Sequence, residues 1–234
     1  MKPIKSLALS LAGLALTAVV SHAQLTLNFA SITGSTLQFN GASSSFQFNA
    51  PAVGTNVAPQ WQIGSETGGT GSAIGLFGVF NNGPFSYGSI TTSLYPGLTV
   101  ESASVIGPLG SLSVNDGGGD FLTGNVNWIQ VQTMNSIGSL NGALSVNVTG
   151  LAYSGGNADL HTIVAQGPAS MNISFQFAPT EMLSQLSSGT GPYNTSYSGS
   201  ITVAAVPEPG TTVLAVMGGL FLAGWTVRRR HSIP

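Results

Sequence analysis

The sequence predicts an all-β fold, a sandwich or a jelly-roll-like pair of sheets, for the central part of the chain. Apolar and polar residues alternate with a period of two in many short runs, which places the apolar side chains on one face of a strand. Gly, Pro and Asn separate these runs, and amphipathic helical patterns are nearly absent. A parallel β-solenoid is the alternative fold, because Gly- and Asn-rich chains also form solenoids, but no fixed repeat period is present.

The first strands are the clearest. Alternation begins at residues 25–29 and continues in residues 37–40 and 46–49, where Leu or Phe occupies every second position. Residues 41–45 have the composition of a hairpin connection. Further strands are predicted at residues 60–63, 74–80, 98–104, 111–115, 125–133, 143–149, 160–165, 171–177 and 200–204. One short helix is predicted over residues 180–186, with Thr180 as its N-cap after Pro179.

The first 23 residues have the pattern of a secretory signal peptide. Lys2 and Lys5 form a positive n-region, residues 7–20 form an apolar region, and Ser21-His22-Ala23 places small residues at positions −3 and −1. We expect cleavage between Ala23 and Gln24. The domain that follows, residues 24–205, is therefore predicted to be exported.

The last 29 residues hold a second targeting pattern. Residues 211–227 are apolar and uncharged, long enough for a short transmembrane helix, and Arg228, Arg229 and Arg230 follow directly. Arginines at this position favour a cytoplasmic stop, because cationic side chains resist crossing the bilayer. Pro207 and Pro209 disfavour helix before them, so residues 206–210 are predicted to be extended and accessible.

The order Val-Pro-Glu-Pro, short membrane helix and arginine cluster resembles the PEP-CTERM sorting signal, over residues 206–234 only. The resemblance implies recognition of Pro207, Glu208 and Pro209 by an exosortase-like enzyme of the bacterial membrane. It also implies removal of the tail and transfer of the protein to the cell surface or the exopolysaccharide matrix. A permanent membrane anchor that is never cleaved is the alternative.

The distribution of charge excludes several functions. All five Lys and Arg residues lie in the two targeting ends, and residues 24–205 carry a formal charge of −6. A domain without cationic side chains is not expected to bind nucleic acid or an acidic polysaccharide, and it has no P-loop lysine. The chain has no cysteine, which rules out disulfides.

Candidate chemical sites are few. Asp116 and Asp120 lie in the glycine-rich segment Asn-Asp-Gly-Gly-Gly-Asp, which is a candidate calcium loop, with a plain turn as the alternative. Asp159 and His161 are two residues apart, on one face of the predicted strand, without a marked nucleophile. Trp61 and Trp128 are candidates for stacking on a neutral sugar ring, with core packing as the alternative.

These observations favour a non-enzymatic exported protein with a structural or adhesive role, briefly held in the cytoplasmic membrane with its C-terminus inside. No cofactor is expected, with calcium at Asp116 and Asp120 as the alternative. An uncharged surface rich in Asn and Thr fits neutral exopolysaccharide as a partner. The alternative is a neutral-carbohydrate-binding module or a weak glycan hydrolase. A hydrolase needs two carboxyl groups facing each other at about 5 to 9.5 Å.

Overall fold

The computed structural model describes residues 24–51, 58–136, 141–189 and 191–203, and these residues form an all-β domain. Fourteen strands and two short helices follow one another within them. The strands are β1 (Leu25–Ser31), β2 (Thr36–Asn40), β3 (Ser45–Asn49), β4 (Trp61–Thr67), β5 (Phe77–Asn81), β6 (Phe85–Ser86), β7 (Thr91–Tyr95), β8 (Leu98–Ser104), β9 (Gly110–Asn115), β10 (Phe121–Met134), β11 (Gly142–Ala152), β12 (Ala169–Phe175), β13 (Pro192–Thr195) and β14 (Tyr197–Val203). The helices are α1 (Ala158–Gln166), between β11 and β12, and α2 (Leu183–Ser188), between β12 and β13.

Eight of the strands close into an antiparallel barrel. Their order is β11, β12, β14, β1, β4, β5, β9 and β10, and β10 then pairs with β11 to complete the ring. The predicted sandwich or jelly roll is therefore wrong, and so is the alternative solenoid. The closure depends on pairings between distant parts of the chain, such as Leu25 with Val203, which strand-by-strand patterns cannot reveal.

The long strand β10 has a second role. Its first half pairs with β9 through residues 121–126, whereas its second half pairs with β8 through residues 130–134. Strand β8 in turn pairs with β7, so a β7–β8 hairpin extends the sheet beyond the barrel. Strand β7 is the last strand of this sheet.

The inward-facing side chains of the barrel are apolar and alternate with outward-facing polar ones, as expected for antiparallel strands. In β10, for example, Leu122, Val126 and Trp128 are buried while their neighbours are exposed. Other buried apolar residues of the barrel strands are Leu25, Leu27, Phe29, Trp61, Ile63, Phe80, Leu112, Val114, Val131, Leu144, Val146, Val148, Ala169, Met171, Ile173, Phe175, Tyr197, Ile201 and Val203.

A second sheet, ordered β13, β2, β3 and β6, covers one end of the barrel. Phe48 of β3 stacks on Trp128 with the ring centroids 5.3 Å apart and also contacts Phe80 and Tyr197, at 4.7 and 4.9 Å. These three partners belong to three different barrel strands. The β2–β3 hairpin therefore inserts its aromatic side chains into the core of the barrel.

Helix α1 lies at the other end, against β1 and β11, and buries Leu160 and Ile163. The predicted strand over residues 160–165 is wrong, because these residues belong to α1. The side chain of Asn157 caps this helix by accepting from the N–H groups of Asp159 and Leu160, both at 3.1 Å. The other helix, α2, begins three residues later than predicted, and Met182 rather than Thr180 is its N-cap.

The targeting segments lie outside the described residues. They are the signal peptide 1–23, the segment 206–210, the predicted membrane helix 211–227 and Arg228–Arg230. Within the described ranges, every helix is too short or too polar to cross a membrane. Gln24 is the first described residue and is exposed.

Gly78 of β5 provides a test of the barrel packing. A Cβ atom on this residue would overlap the indole of Trp61, whereas a Cβ on Gly64 of the neighbouring strand would meet no atom within 4 Å. We expect Gly78→Ala to lower the free energy of unfolding by about 1–3 kcal/mol, because overpacking forces the buried ring to move. Urea unfolding followed by tryptophan fluorescence measures this. Gly64→Ala is the control, and equal stability of the two variants would contradict this packing.

Candidate functional site

The outer face of β5, β9 and β10 carries an exposed aromatic row. The strand registers pair Phe77 with Asn115 and Asn115 with Phe121, so these three residues lie side by side across three neighbouring strands. Phe77 is 41% exposed and Phe121 is 49% exposed. Two phenyl side chains therefore flank an amide on the outside of the barrel. The strands that carry them, β5 and β10, are two strand spacings or about 10 Å apart.

This row lines a groove of about 710 Å³. Val79 and Ser113 continue the lining along the strands, and Asn81 lies beyond them. Every residue that lines the groove is uncharged. The site thus offers apolar ring faces together with amide and hydroxyl groups, a combination that suits an uncharged polar ligand.

The loop from Asp116 to Asp120 borders the groove, between β9 and β10. Oδ1 of Asp116 accepts from the N–H groups of Gly118 at 2.7 Å and Asp120 at 3.1 Å, and Oδ2 accepts from the Tyr153 hydroxyl at 2.8 Å. The hydrogen bond from Tyr153 contributes most to lowering the pKa of Asp116, followed by the bond from Gly118.

These contacts bear on the predicted calcium loop. A calcium ion at Asp116 would have to displace N–H and O–H donors, which point their hydrogens where the cation would sit. In the part of the chain that the structure describes, no group of three or more His, Cys, Asp or Glu side chains is placed to hold a metal. Calcium binding by Asp116 and Asp120 stays a prediction.

A second polar centre surrounds Asp159 at the N-terminus of α1. Its Oδ1 accepts from the backbone N–H of Thr70 at 2.8 Å, and its Oδ2 accepts from the N–H of Ser72 at 2.7 Å and of Ala73 at 3.2 Å. The hydroxyls of Thr70 and Ser72 also donate to it. One buried carboxylate thus holds the β4–β5 connection against α1.

The hydrogen bonds decide the charge state of Asp159. Burial alone would raise the pKa of this carboxyl, but the donors from Ser72 and Thr70 outweigh it and lower the pKa to about 2. Glu66 lies beside it and behaves in the opposite way. Burial, together with the neighbouring negative charge of Asp159, raises the pKa of Glu66 despite a hydrogen bond from the Gly71 N–H.

Glu66 and Asp159 are the two carboxyl groups that the hydrolase alternative could use. Both lie against Gly69, where an added Cβ atom would meet Oε1 of Glu66 and Oδ1 of Asp159. Each accepts backbone N–H groups of residues 70–73, so neither is free to act on a sugar. Both also serve the β4–β5 connection. This pair therefore fits an anchor for that connection better than a catalytic pair of carboxyl groups.

Asp159 and His161 do not act on each other. They lie on α1 rather than on a strand, and Nε2 of His161 lies 2.6 Å from the carbonyl oxygen of Gly155. The imidazole packs against Tyr153, with the ring centroids 5.0 Å apart. Asp159 and His161, whose spacing in the sequence suggested part of a catalytic triad, therefore belong to different hydrogen-bond networks.

The predicted glycan-stacking residues lie in the core. Trp61 is 0% exposed and Trp128 is 4% exposed, and both contact Phe80. The prediction that either indole stacks on a sugar at the surface is wrong, because both rings fill the inside of the barrel. The sequence analysis instead missed Phe77 and Phe121, the exposed rings. The apolar run at residues 74–80 puts large side chains on both faces of β5, a signal that could have indicated Phe77.

Comparison with known proteins adds no assignment: no family model matches the chain, and neither a curated protein nor a solved structure matches it. The residues of the predicted sorting signal, including Pro207, Glu208 and Pro209, lie outside the described residues, as does Ala23.

The Asp159 network predicts a dependence of stability on pH. Because the folded-state pKa of about 2 is below the ordinary value of 3.8, the stabilisation from Asp159 is present above pH 4 and is lost as the pH falls towards 2. We expect Asp159→Asn to lower the free energy of unfolding by about 2–4 kcal/mol at pH 7, because an amide N–H₂ would face N–H donors.

Urea unfolding at pH 7 and pH 2.5 measures this difference, which should shrink at the lower pH. Glu181→Gln is the matched control, since it also neutralises a carboxyl group but outside this network. A difference between the parent and Asp159→Asn that is the same at both pH values would contradict the assigned role.

Proposed function

We propose that this protein is an exported, non-catalytic adhesive protein whose β domain binds neutral polysaccharide at the Phe77–Phe121 groove. The observation that supports this most is the row of Phe77, Asn115 and Phe121 on the outer face of the barrel. Two exposed rings in an uncharged concave surface are unfavourable in water unless a ligand or partner covers them at least part of the time.

The chemistry of the groove favours a sugar over a fully apolar ligand. A sugar ring has an apolar face that packs on a phenyl ring and hydroxyls at its edge that need hydrogen-bond partners. Asn115 and Ser113 supply such partners between the two rings. The spacing of about 10 Å between the strands that carry Phe77 and Phe121 suits an extended chain that contacts both rings.

Charge favours a neutral chain over an acidic one. The six carboxylates of residues 24–205 have no cationic side chain to balance them. An acidic polysaccharide would therefore meet net repulsion, weakest at high salt, whereas a neutral one would not. Glu66 and Asp159 both accept hydrogen bonds from the β4–β5 connection, which favours binding without hydrolysis.

The targeting segments support the location. The signal peptide pattern of residues 1–23 and the PEP-CTERM-like tail of residues 206–234 together fit export followed by processing by an exosortase-like enzyme. We propose that the membrane helix 211–227 holds the protein only until Pro207, Glu208 and Pro209 are recognised. The protein then passes to the cell surface or the extracellular matrix.

The groove is tested by Phe77→Ala combined with Phe121→Ala. Because both rings lie on the outer face and are nearly half exposed, the double variant should fold like the parent, yet its affinity for a neutral polysaccharide should fall about tenfold or more. Affinity electrophoresis in gels containing dextran, galactomannan or the exopolysaccharide of the native host measures this, with alginate as the acidic comparison.

Ile106→Ala is the control for this experiment, since Ile106 is 69% exposed and does not line the groove. Retardation of the parent in at least one neutral gel, lost in the double variant and kept in the control, is the expected pattern. Equal retardation of all three proteins would rule out the groove as the binding site.

The sorting signal is tested by Glu208→Ala. If a sorting enzyme reads this carboxylate between the two prolines, the variant should remain full-length in the membrane fraction, whereas the parent should appear shortened in the matrix. Intact mass and cell fractionation in the native host measure this. Glu181→Ala, which removes a carboxylate of the domain instead, is the control. Unchanged processing of Glu208→Ala would contradict the resemblance.

A further inference from the structure

Strand β7 presents an open edge. It is the last strand of its sheet, and in the described part of the chain it pairs only with β8. All five of its residues, Thr91 to Tyr95, are exposed, and Leu94 and Tyr95 are exposed by 79% and 60%. An edge of this kind offers a row of free backbone N–H and C=O groups to another strand.

The other edge strands of the described residues are protected. The second sheet ends in β13 and β6. Strand β6 has only two residues, and β13 begins with Pro192, which lacks an N–H group. Shortness and proline are common ways to prevent edge pairing. Strand β7 has neither of them, and its sequence Thr-Thr-Ser-Leu-Tyr carries no charge.

The turn after β7 determines which backbone N–H and C=O groups of β7 point to the open edge. Pro96 and Gly97 form a two-residue connection, with Gly97 at φ +75°, so Tyr95 and Leu98 close the hairpin and face each other. Backbone groups alternate in direction along a strand. Ser93 and Thr91 therefore also bond towards β8, whereas the N–H and C=O groups of Thr92 and Leu94 point to the open edge.

We propose that β7 pairs antiparallel with β7 of a second copy of this chain, with the two-fold axis at Ser93. In this register Thr92 faces Leu94 of the second copy and Leu94 faces its Thr92. These are the residues whose backbone groups are free, so each of the two pairs can exchange both backbone hydrogen bonds. The contact is isologous and continues the sheet from one molecule into the other.

The side chains fit the same register. Thr91 faces Tyr95 of the second copy, a β-branched residue against an aromatic one, which is a favourable cross-strand pair. Leu94, which is 79% exposed, lies next to Thr92 of the second copy. Ser93 faces Ser93 of the second copy in a non-hydrogen-bonded pair, in which the Cα atoms are about 4.5 Å apart. The small serine side chain permits this close approach.

Electrostatics do not oppose the pairing. Glu101 carries the one carboxyl group of the β7–β8 hairpin. It is buried and accepts hydrogen bonds from the N–H and the hydroxyl of Ser184, at 2.8 and 2.9 Å. Two copies thus bring no free charge to the shared edge. A second copy is the occupant that meets the backbone and side-chain requirements of this edge at the same time.

Single cysteines test the register, because the chain has no cysteine of its own. Ser93→Cys in the full-length exported protein would place two thiols on the two-fold axis, with Cα atoms about 4.5 Å apart, within the range for a disulfide. Tyr95→Cys on the same strand would place them about 14 Å apart. Ser170→Cys, exposed on β12 between two paired strands, is the control for random collision.

After mild oxidation and non-reducing electrophoresis, we expect Ser93→Cys to form a dimer about tenfold faster than Ser170→Cys or Tyr95→Cys, since pairing raises the local thiol concentration. Adding Leu94→Lys should return Ser93→Cys to the control rate, because lysine blocks edge pairing while Leu94 is too exposed to matter for folding. Mass spectrometry of the oxidised Ser93→Cys product should find twice the mass of the exported monomer.

Three results would overturn the proposal: Ser93→Cys dimerising no faster than Ser170→Cys, Tyr95→Cys dimerising faster than Ser93→Cys, or a product that joins Ser93→Cys to a different protein. Loss of glycan binding in the groove variants would leave these rates unchanged. The edge and the groove are therefore tested independently.

Discussion

The stacking of Phe48 on Trp128 joins the two sheets of this protein, and the rest of the fold depends on the aromatic packing around it. An eight-stranded barrel has an interior just wide enough for side chains to fill, so any gap there is costly. The chain fills it from its own strands and from the β2–β3 hairpin, which adds Phe46 and Phe48. Strands β5, β9 and β10 are hydrogen-bonded neighbours in this closed barrel, and their pairing sets the spacing between the backbone positions of Phe77 and Phe121.

The domain also has to hold buried negative charge without any cationic partner. It has no Lys or Arg between residues 24 and 205, so a salt bridge with either of these side chains is not available to Asp159 or Glu101. Backbone N–H groups and hydroxyls replace it: five donors surround Asp159, and Ser184 donates twice to Glu101. Asp159 fixes the β4–β5 connection to α1, and Glu101 fixes strand β8 to α2, through charge-assisted hydrogen bonds.

The local pattern of the sequence predicted much of the secondary structure but little of the architecture. Alternation at residues 37–40 and 46–49 correctly predicted β2 and β3, since a half-buried strand needs a period of two. The short apolar run at residues 160–165 predicted a strand, whereas the structure places it in α1, which Asn157 caps. Ring closure and the burial of Trp61 and Trp128 depend on pairings between distant residues. A single sequence does not contain that information in any one segment.

The pairing of Leu25 with Val203 places the two ends of the described domain side by side at one end of the barrel. The small sheet covers the opposite end, and the β7–β8 hairpin joins β10 near that end. If the molecule is held only through the chain beyond Val203, a pulling force acts along the axis of β14. This strand is hydrogen-bonded to β1 on one side and to β12 on the other. Such a load shears many hydrogen bonds at once instead of opening them one by one. The strand order therefore places the C-terminal strand of the described domain inside the sheet, with hydrogen-bonded neighbours on both sides.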